Sequence, residues 1–355
     1  MRIVVAMSGG VDSSVAAALL AGAGHDVIGL SMQLYDQTEG RTGFGTCCTI
    51  DDLHDARRVA HRLNIPHYIL NFEQEFQQTV VANFVGEYTA GRTPIPCAHC
   101  NSDLKFATLL DRARAFDAGV VATGHYARVE TDPGTGRVLL RRGRDSAKDQ
   151  SYFLFSLTQD QLACANFPVG GLTKDAVRDL ARDLDLAVAD KPDSQEICFV
   201  PDGDYAAFIE RQDEIAPARD GAIVNQSGQV LGRHGGVHRF TVGQRKGLGI
   251  ALAEPMYVLE LRPVEQTVVV GPRPQLERRT LTASQVNWIA GAPPNGTSRV
   301  TAQIRHRHQP AAASVEAIEA GRAEVEFDAP QIAITPGQAV VFYDGDVVVG
   351  GGWID

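Results

Sequence analysis

The sequence predicts an α/β protein: a doubly wound, mostly parallel sheet over residues 1–205, then two small all-β domains at 206–272 and 273–355. Two observations carry this. Short apolar runs of strand type alternate with helix-patterned segments through the N-terminal part. From about Gly221 the texture changes to short β-rich runs broken by Gly, Pro and Asn.

The elements follow in order. Arg2–Met7 is an apolar strand, and the Ala- and Leu-rich Ser13–Ala23 a helix. Asp26–Met32 is a second strand. Leu53, Ala56, Val59, Ala60 and Leu63 recur at helical spacing, which predicts a helix over Asp51–Leu63. His67–Asn71 is a third strand, Leu104–Phe116 a helix, and Val120–Gly124 a strand. In the second domain, strands are expected at Ala222–Val224, Val230–Leu231, Met256–Leu261 and Val268–Val270. In the third they are expected at Leu281–Trp288, Arg299–Ile304, Arg322–Phe327, Ala339–Tyr343 and Val347–Gly350.

Composition narrows the function classes. With 44% hydrophobic and 21% charged residues among 355, the chain can build a core, and dominant disorder is excluded. No stretch approaches the roughly 20 apolar residues of a membrane span. Six cysteines in so long a chain are no disulfide scaffold, and the expected compartment is a reducing cytoplasm. A net charge of -10 argues against a protein that coats nucleic acid, although a local basic groove is compatible with it.

The first strand runs into Ser8-Gly9-Gly10-Val11-Asp12-Ser13, and a helix follows. Glycines let the backbone bring its N–H groups close to a ligand, and the helix start favours an anion. A carboxylate beside phosphates makes sense where Mg²⁺ bridges them, so Asp12 is the expected Mg²⁺ contact. The loop is neither a Walker A sequence nor GxGxxG. It resembles the SGGxDS loop of the ATP-pyrophosphatase superfamily, whose members cleave ATP between the α- and β-phosphates and activate a substrate oxygen as an adenylate. The bland alternative is a Gly-rich turn with Asp12 or Ser13 as a helix cap.

Cys97-Ala98-His99-Cys100 follows Thr93-Pro94-Ile95-Pro96, and a helix opens just beyond. A thiol at a helix start has its thiolate stabilised, and Lys105 adds positive charge nearby. Cys198 lies far along the chain in Ser194-Gln195-Glu196-Ile197-Cys198-Phe199. Cys47 and Cys48 are expected to be structural, and Cys164 a core residue of an apolar helix. Two basic segments lack any carboxylate: Arg233 to Lys246, with His234 and His238, and Arg299 to His308, with Arg305, His306 and Arg307. Such segments suit phosphate contacts, or else are solvated faces of β domains.

The run Gly91 to Asn101, through Leu104-Lys105-Phe106, resembles the catalytic segment of the tRNA-specific 2-thiouridylases. So do Ala122-Thr123-Gly124-His125-Tyr126-Ala127-Arg128, Lys148-Asp149-Gln150-Ser151-Tyr152, the Cys198 segment and Gly243-Gln244-Arg245-Lys246-Gly247. The likeness runs nearly end to end. It implies an adenine nucleotide alpha hydrolase-like fold and ATP-dependent conversion of the wobble uridine to 2-thiouridine, with release of AMP and pyrophosphate. It further implies Cys100 as nucleophile, Cys198 as persulfide carrier, and a transient Cys100–Cys198 disulfide. ATP is implied at Ala6, Met7, Ser8, Gly9, Gly10, Val11, Asp12 and Ser13, with Met32 and Gly124. The anticodon stem-loop of tRNA is implied at His125, Lys148, Asp149, Gln150, Arg305, His306 and Gln338, and the target base against Ile95, Pro96 and Cys97. The sulfur would come from a cysteine desulfurase or an upstream relay protein.

One position departs from the family. Many members carry Asp, proposed as an acid or base, where this chain has Cys97. The resulting Cys97-x-x-Cys100 leaves alternatives: a [4Fe–4S] cluster on Cys97, Cys100 and Cys198, a redox residue, or a bystander. Zinc lacks an evident fourth ligand. Two rival functions stay open at this level: a small-molecule ligase of the same superfamily, and a non-catalytic redox protein that binds nucleotide.

Overall fold

A computed structural model describes residues 1–35, 50–193, 197–200, 203–212, 219–250, 254–289, 291–319 and 321–355. Cys47 and Cys48 lie outside the described residues, as do Ser194, Gln195 and Glu196 of the Cys198 segment. Among the described residues, no helix is long and apolar enough to cross a membrane.

The N-terminal sheet is parallel throughout. Its strands are β1 (Arg2–Ala6), β2 (Asp26–Gln33), β3 (His67–Asn71), β4 (Val121–Ala122) and β7 (Ala165–Asn166), in the order β3-β2-β1-β4-β7. The continuous apolar character of β1 has a direct cause, since both of its faces are covered. Ile3 and Val5 enter one core cluster with Val15, Val59 and Val177, while Val4 enters the other with Leu30, Phe84 and Leu104. Helix α1 (Val11–Gly22) and helix α2 (Ile50–Arg62) pack on the first of these faces. The strand order reverses at β1, with β2 on one side and β4 on the other. In open parallel sheets ligands bind outside the carboxyl ends of the strands at such a switch point.

Several stretches differ from the sequence expectation. Residues after β3 form α3 (Glu73–Phe76), a π-helix (Gln77–Val81) and α4 (Ala82–Thr89), none of them anticipated. The helix expected from Leu104 starts earlier, as α5 (Pro96–His99), a π-helix (Cys100–Thr108) and α6 (Leu109–Arg114). Proline at the first helical position has a ring already set for the helix and lacks only an N–H that would be unpaired there anyway. The antiparallel hairpin β5 (Ala127–Thr131) and β6 (Val138–Arg142) was not anticipated either. It leaves the parallel sheet and meets the last strand of the chain through Arg141 and Val347.

The middle unit is a four-stranded sheet of β8 (Gly221–Asn225), β9 (Val230–His234), β10 (Tyr257–Arg262) and β11 (Thr267–Gly271), ordered β10-β11-β8-β9. The C-terminal unit contains β12 (Glu277–Trp288), β13 (Ser298–Gln303), β14 (Ala311–Glu319), β15 (Arg322–Ile332), β16 (Ala339–Asp344) and β17 (Val347–Ile354). Pairing of β12 with β17 closes these six strands into a barrel. Strand β14 was missed because Ala311–Glu319 is rich in Ala and Glu, which are poor strand formers. Antiparallel pairing with β13 and β15 overrides that preference and buries Ala313 and Val315.

Candidate functional site

The phosphate loop leaves β1 and enters α1 at the switch point. The Ser8 N–H donates to Ser13 Oγ at 3.2 Å, and Ser13 Oγ donates to the Gly10 carbonyl at 3.2 Å. Gly10 precedes α1 with no side-chain cap on the helix start. Gly9 has φ +76°, and a Cβ there would strike the Asp52 carbonyl, so α2 packs directly on the loop. Lys191 ties the two together: its ammonium reaches the Gly9 carbonyl at 3.1 Å, Asp52 at 2.6 Å and Asp55 at 2.5 Å. Gly124, from the end of β4, lies against Asp12 and Ser13 so closely that any side chain would collide. Ala6 to Ser13 and Gly124 therefore gather at one end of the sheet. Met32 lies near the end of the adjacent strand and is buried.

Asp12 sits in a charged network that the sequence did not disclose. Its carboxylate accepts from the Tyr126 hydroxyl at 2.7 Å and from Lys174 at 2.8 and 2.9 Å. Burial, then the Asp12 charge, push the Tyr126 pKa up, so this hydroxyl stays a proton donor. Lys174 is buried, and its ammonium also meets Asp193 at 2.7 Å. A signal for Lys174 existed. It opens helix α8 (Lys174–Asp183), where the helix dipole disfavours a cation, so a partner was to be expected.

The cysteines divide by environment. Cys97 is exposed and Cys100 buried, three residues apart across the junction of α5 and the π-helix. Cys198 is half-buried and packs against the apolar cluster that contains Cys100. Phe199 anchors that segment, edge-on to Phe76 and Phe84 at 5.4 and 5.1 Å. Cys164 is half-buried at the end of the five-residue helix α7 (Gln159–Ala163) rather than inside a longer apolar helix. Among the described residues, no three His, Cys, Asp or Glu side chains are grouped to hold a metal. Cys97, Cys100 and Cys198 do not form such a group among the described residues.

The C-terminal barrel grips the cysteine segment from behind. The Thr93 N–H donates to the Pro336 carbonyl at 2.8 Å, and the Gln338 amide donates to the Thr93 carbonyl at 2.9 Å. The His99 ring stacks on Trp353 at 4.6 Å and 3°, and its Nδ1 lies 3.2 Å from Asp103. A cavity of about 360 Å³ lies along this seam, lined by Asn83, Arg92, Ile95, His99 and Trp353 among others. Pro94 also lines it, and Pro96 is buried.

The residues expected at RNA converge in part. Lys148 is held by Asp193 at 2.7 Å. Asp149 is 7% exposed and accepts from Arg142 at 2.7 Å, the Gly143 N–H at 2.9 Å, the Ser151 N–H at 3.1 Å and the Ser151 hydroxyl at 3.0 Å. Gln150 accepts from the Tyr126 N–H at 2.9 Å. Arg142 continues to Gln303 and lies over the Tyr343 ring at 3.5 Å, while Gln303 holds the turn of Arg305 and His306. The Phe153 ring meets His306 at 4.6 Å with the planes tilted by 43°. Residues 148–150 and 305–306 are thus joined through an internal chain of contacts that runs Asp149, Arg142, Gln303. His125 lies 2.6 Å from the Thr123 hydroxyl, and burial, then the Lys105 charge, drop its pKa well below the usual value.

The basic segments are less basic in space than in sequence. His234 and His238 are buried, and Arg239 pairs with Glu210. Arg299 pairs with Asp328 through both terminal nitrogens, at 2.8 and 2.6 Å. The acid missing from the linear window arrives from another strand. Arg233, Arg245, Lys246, Arg305 and Arg307 remain exposed.

Three family models match consecutive stretches. They are a tRNA methyl transferase HUP domain over residues 1–202, a tRNA methyl transferase PRC-barrel domain over 208–272, and an aminomethyltransferase beta-barrel domain over 278–354. The chain is 54% identical to the tRNA-specific 2-thiouridylase MnmA of Geotalea uraniireducens, covering 100% of this chain and 95% of that protein. It is 52% identical to the protein of the same name from Acidobacterium capsulatum, covering 99% and 98%. A third, from Geobacter metallireducens, is 53% identical over 100% of this chain and 96% of its own. At this identity over the full length, the chain belongs to the tRNA-specific 2-thiouridylase MnmA family.

Proposed function

We propose that the chain is a tRNA-uridine 2-sulfurtransferase that uses ATP to convert the C2 carbonyl of the wobble uridine into a thiocarbonyl. The observation that carries this is one assembly: a phosphate loop at the sheet's switch point, with a buried thiol and a half-buried thiol sharing the apolar cluster beside it. A methyl transferase, which the domain descriptions mention, would have no use for that combination. The C2 oxygen is a poor leaving group. Its attack on the α-phosphorus of ATP forms an adenylate and releases pyrophosphate. Loop N–H groups at the start of α1 stabilise the charge that develops. Mg²⁺, when bound, supplies Lewis-acid stabilisation of the phosphates, and Asp12 is the hard oxygen donor at hand for it.

The terminal sulfur of a Cys198 persulfide then attacks C2, and the C2–O bond breaks with departure of AMP. The thiolate of Cys100 attacks the Cys198 sulfur. That breaks the remaining S–S bond, leaves 2-thiouridine on the tRNA and joins Cys100 to Cys198 as a disulfide. An external dithiol reductant restores the two thiols. Cys97 is exposed, and no step of this exchange requires it. A target base has to leave the anticodon stack to reach the site, and Ile95, which lines the cavity along the cysteine segment, is an apolar contact for it. A cysteine desulfurase or relay protein loads Cys198.

The test is pyrophosphate release from ATP with and without tRNA, followed by mass spectrometry of the digested tRNA for 2-thiouridine. Release that depends on tRNA, together with the thionucleoside, is the expected result. Release that ignores tRNA, or accompanies amidation of a small molecule, would overturn the assignment.

A further inference from the structure

Asp193 joins three parts of the molecule that have separate tasks. It stands five residues before Cys198, at the end of the segment that carries the sulfur residue. Its carboxylate meets Lys148, of the RNA-facing segment, at 2.7 Å, Lys174 at 2.7 Å and Arg178 at 3.3 Å. Lys174 in turn holds Asp12 of the phosphate loop at 2.8 Å. One unbroken line of alternating charge therefore runs Lys148, Asp193, Lys174, Asp12.

The members are not equally fixed. The Lys148 side chain is 39% exposed, whereas those of Lys174 and Arg178 are 10% and 23% exposed. Lys148 is the arm that can leave toward solvent. Burial opposes the charge on Asp193, yet hydrogen bonds from Lys148 and Lys174 and the charge of both hold its pKa down to about 2. It remains a carboxylate at any working pH, and its demand for cations is constant. Asp12, for its part, has both oxygens occupied by Lys174 and one also by Tyr126. While Lys174 sits there, an incoming cation must displace it.

We propose that Asp193 and Lys174 form a relay that couples tRNA at Lys148 to Mg²⁺–ATP at Asp12. This rests on the function argued above. A tRNA phosphate that takes Lys148 removes one of the three cations on Asp193. Lys174 is then drawn toward Asp193 and away from Asp12, whose oxygens become available to Mg²⁺. The reverse holds too, because Mg²⁺ at Asp12 pushes Lys174 onto Asp193 and loosens Lys148 for phosphate. Coupling free energies are reciprocal in this way by thermodynamic necessity. Asp193 and Lys174 are positioning residues here. They act through Lys148 and Asp12, and the relay makes ATP cleavage wait for the correct substrate.

The test measures binding rather than turnover. The dissociation constant of Mg²⁺ with α,β-methylene ATP, which cannot be cleaved at the reacting bond, is determined with and without saturating tRNA. The wild type is expected to bind the nucleotide at least about fivefold more tightly with tRNA, within the usual range for coupled sites. Asp193→Asn is expected to reduce that ratio to below about twofold. Lys148→Gln, on the more exposed arm, should do the same and covers the case in which Asp193→Asn folds poorly. A wild-type ratio near one, or an unchanged ratio in both variants, overturns the relay. Thiolation by the wild type is assayed in parallel. Coupling without thiolation supports the relay and removes the proposed function, and thiolation without coupling does the opposite.

Discussion

Replacing Asp149 by Ala is expected to destabilise the protein by about 3 kcal/mol. Truncating one partner of a buried ion pair costs about 3–5 kcal/mol, because the other charge is left uncompensated. Here Asp149 is 7% exposed and Arg142 23%, so water reaches the guanidinium in part. Arg142 also keeps Gln303 and the Tyr343 ring. Both facts place the loss at the lower end. The N–H groups of Gly143 and Ser151 lose their acceptor as well, and these losses share one cavity, so they do not simply add. For a domain of 150–250 residues, 1 kcal/mol corresponds to about 2–4 °C, which predicts a melting temperature lower by about 6–12 °C. Thermal unfolding followed by fluorescence of Trp288 and Trp353 reads this, since β6 and its loop join the barrel that carries both. Asp149→Asn keeps the volume and one accepting oxygen, and should fall between Asp149→Ala and the wild type. A melt of Asp149→Ala within about 1 °C of wild type would refute the account, and Asp149 would then be free for tRNA.

Three further outcomes follow from the same structure. Cys100→Ser and Cys198→Ser should each abolish 2-thiouridine formation, whereas Cys97→Asp should retain it, which mass spectrometry of modified tRNA reads directly. Iron and sulfide near four each per chain after anaerobic purification, with an inactive Cys97→Asp, would reverse that expectation. Neutralising Arg245, Lys246 and Arg305 together should lower the log–log salt slope of tRNA binding by about 0.7–0.9 per lost phosphate contact, while neutralising the already paired Arg299 should leave it unchanged. Acid should weaken the fold through His125: its folded pKa lies below the unfolded value of about 6.5, so unfolded chains bind more protons as pH falls beneath that point. The stabilisation is complete above about 6.5 and declines by up to about 1.4 kcal/mol per pH unit below it, a slope that urea titrations should find shallower in His125→Gln.

The alternation of strand and helix, the texture change near Gly221, the phosphate loop and the cysteine segments were all legible in the amino-acid order. Each is a local pattern. A short run rich in β-branched apolar residues favours a strand through its own side chains, and glycine before a helix start lets backbone N–H groups approach an anion. Charge pairing is not local, and here sequence reading stopped. The family resemblance implied Asp149 at tRNA with Lys148 and Gln150, but a hairpin residue seven positions upstream, Arg142, pairs with it and turns it inward. Arg299 looked unopposed until strand pairing brought Asp328 alongside. Strand β14 was hidden because its Ala and Glu content opposes the conformation that its neighbours impose. Lys174 lies 162 residues from Asp12, a separation no motif spans. What the sequence determined by itself is which chemistry the chain carries: a phosphate loop and cysteines in recognisable segments. Only the tertiary structure decided which charges face each other, because Coulomb energy depends on distance in space and on burial, and neither is written in the order of residues.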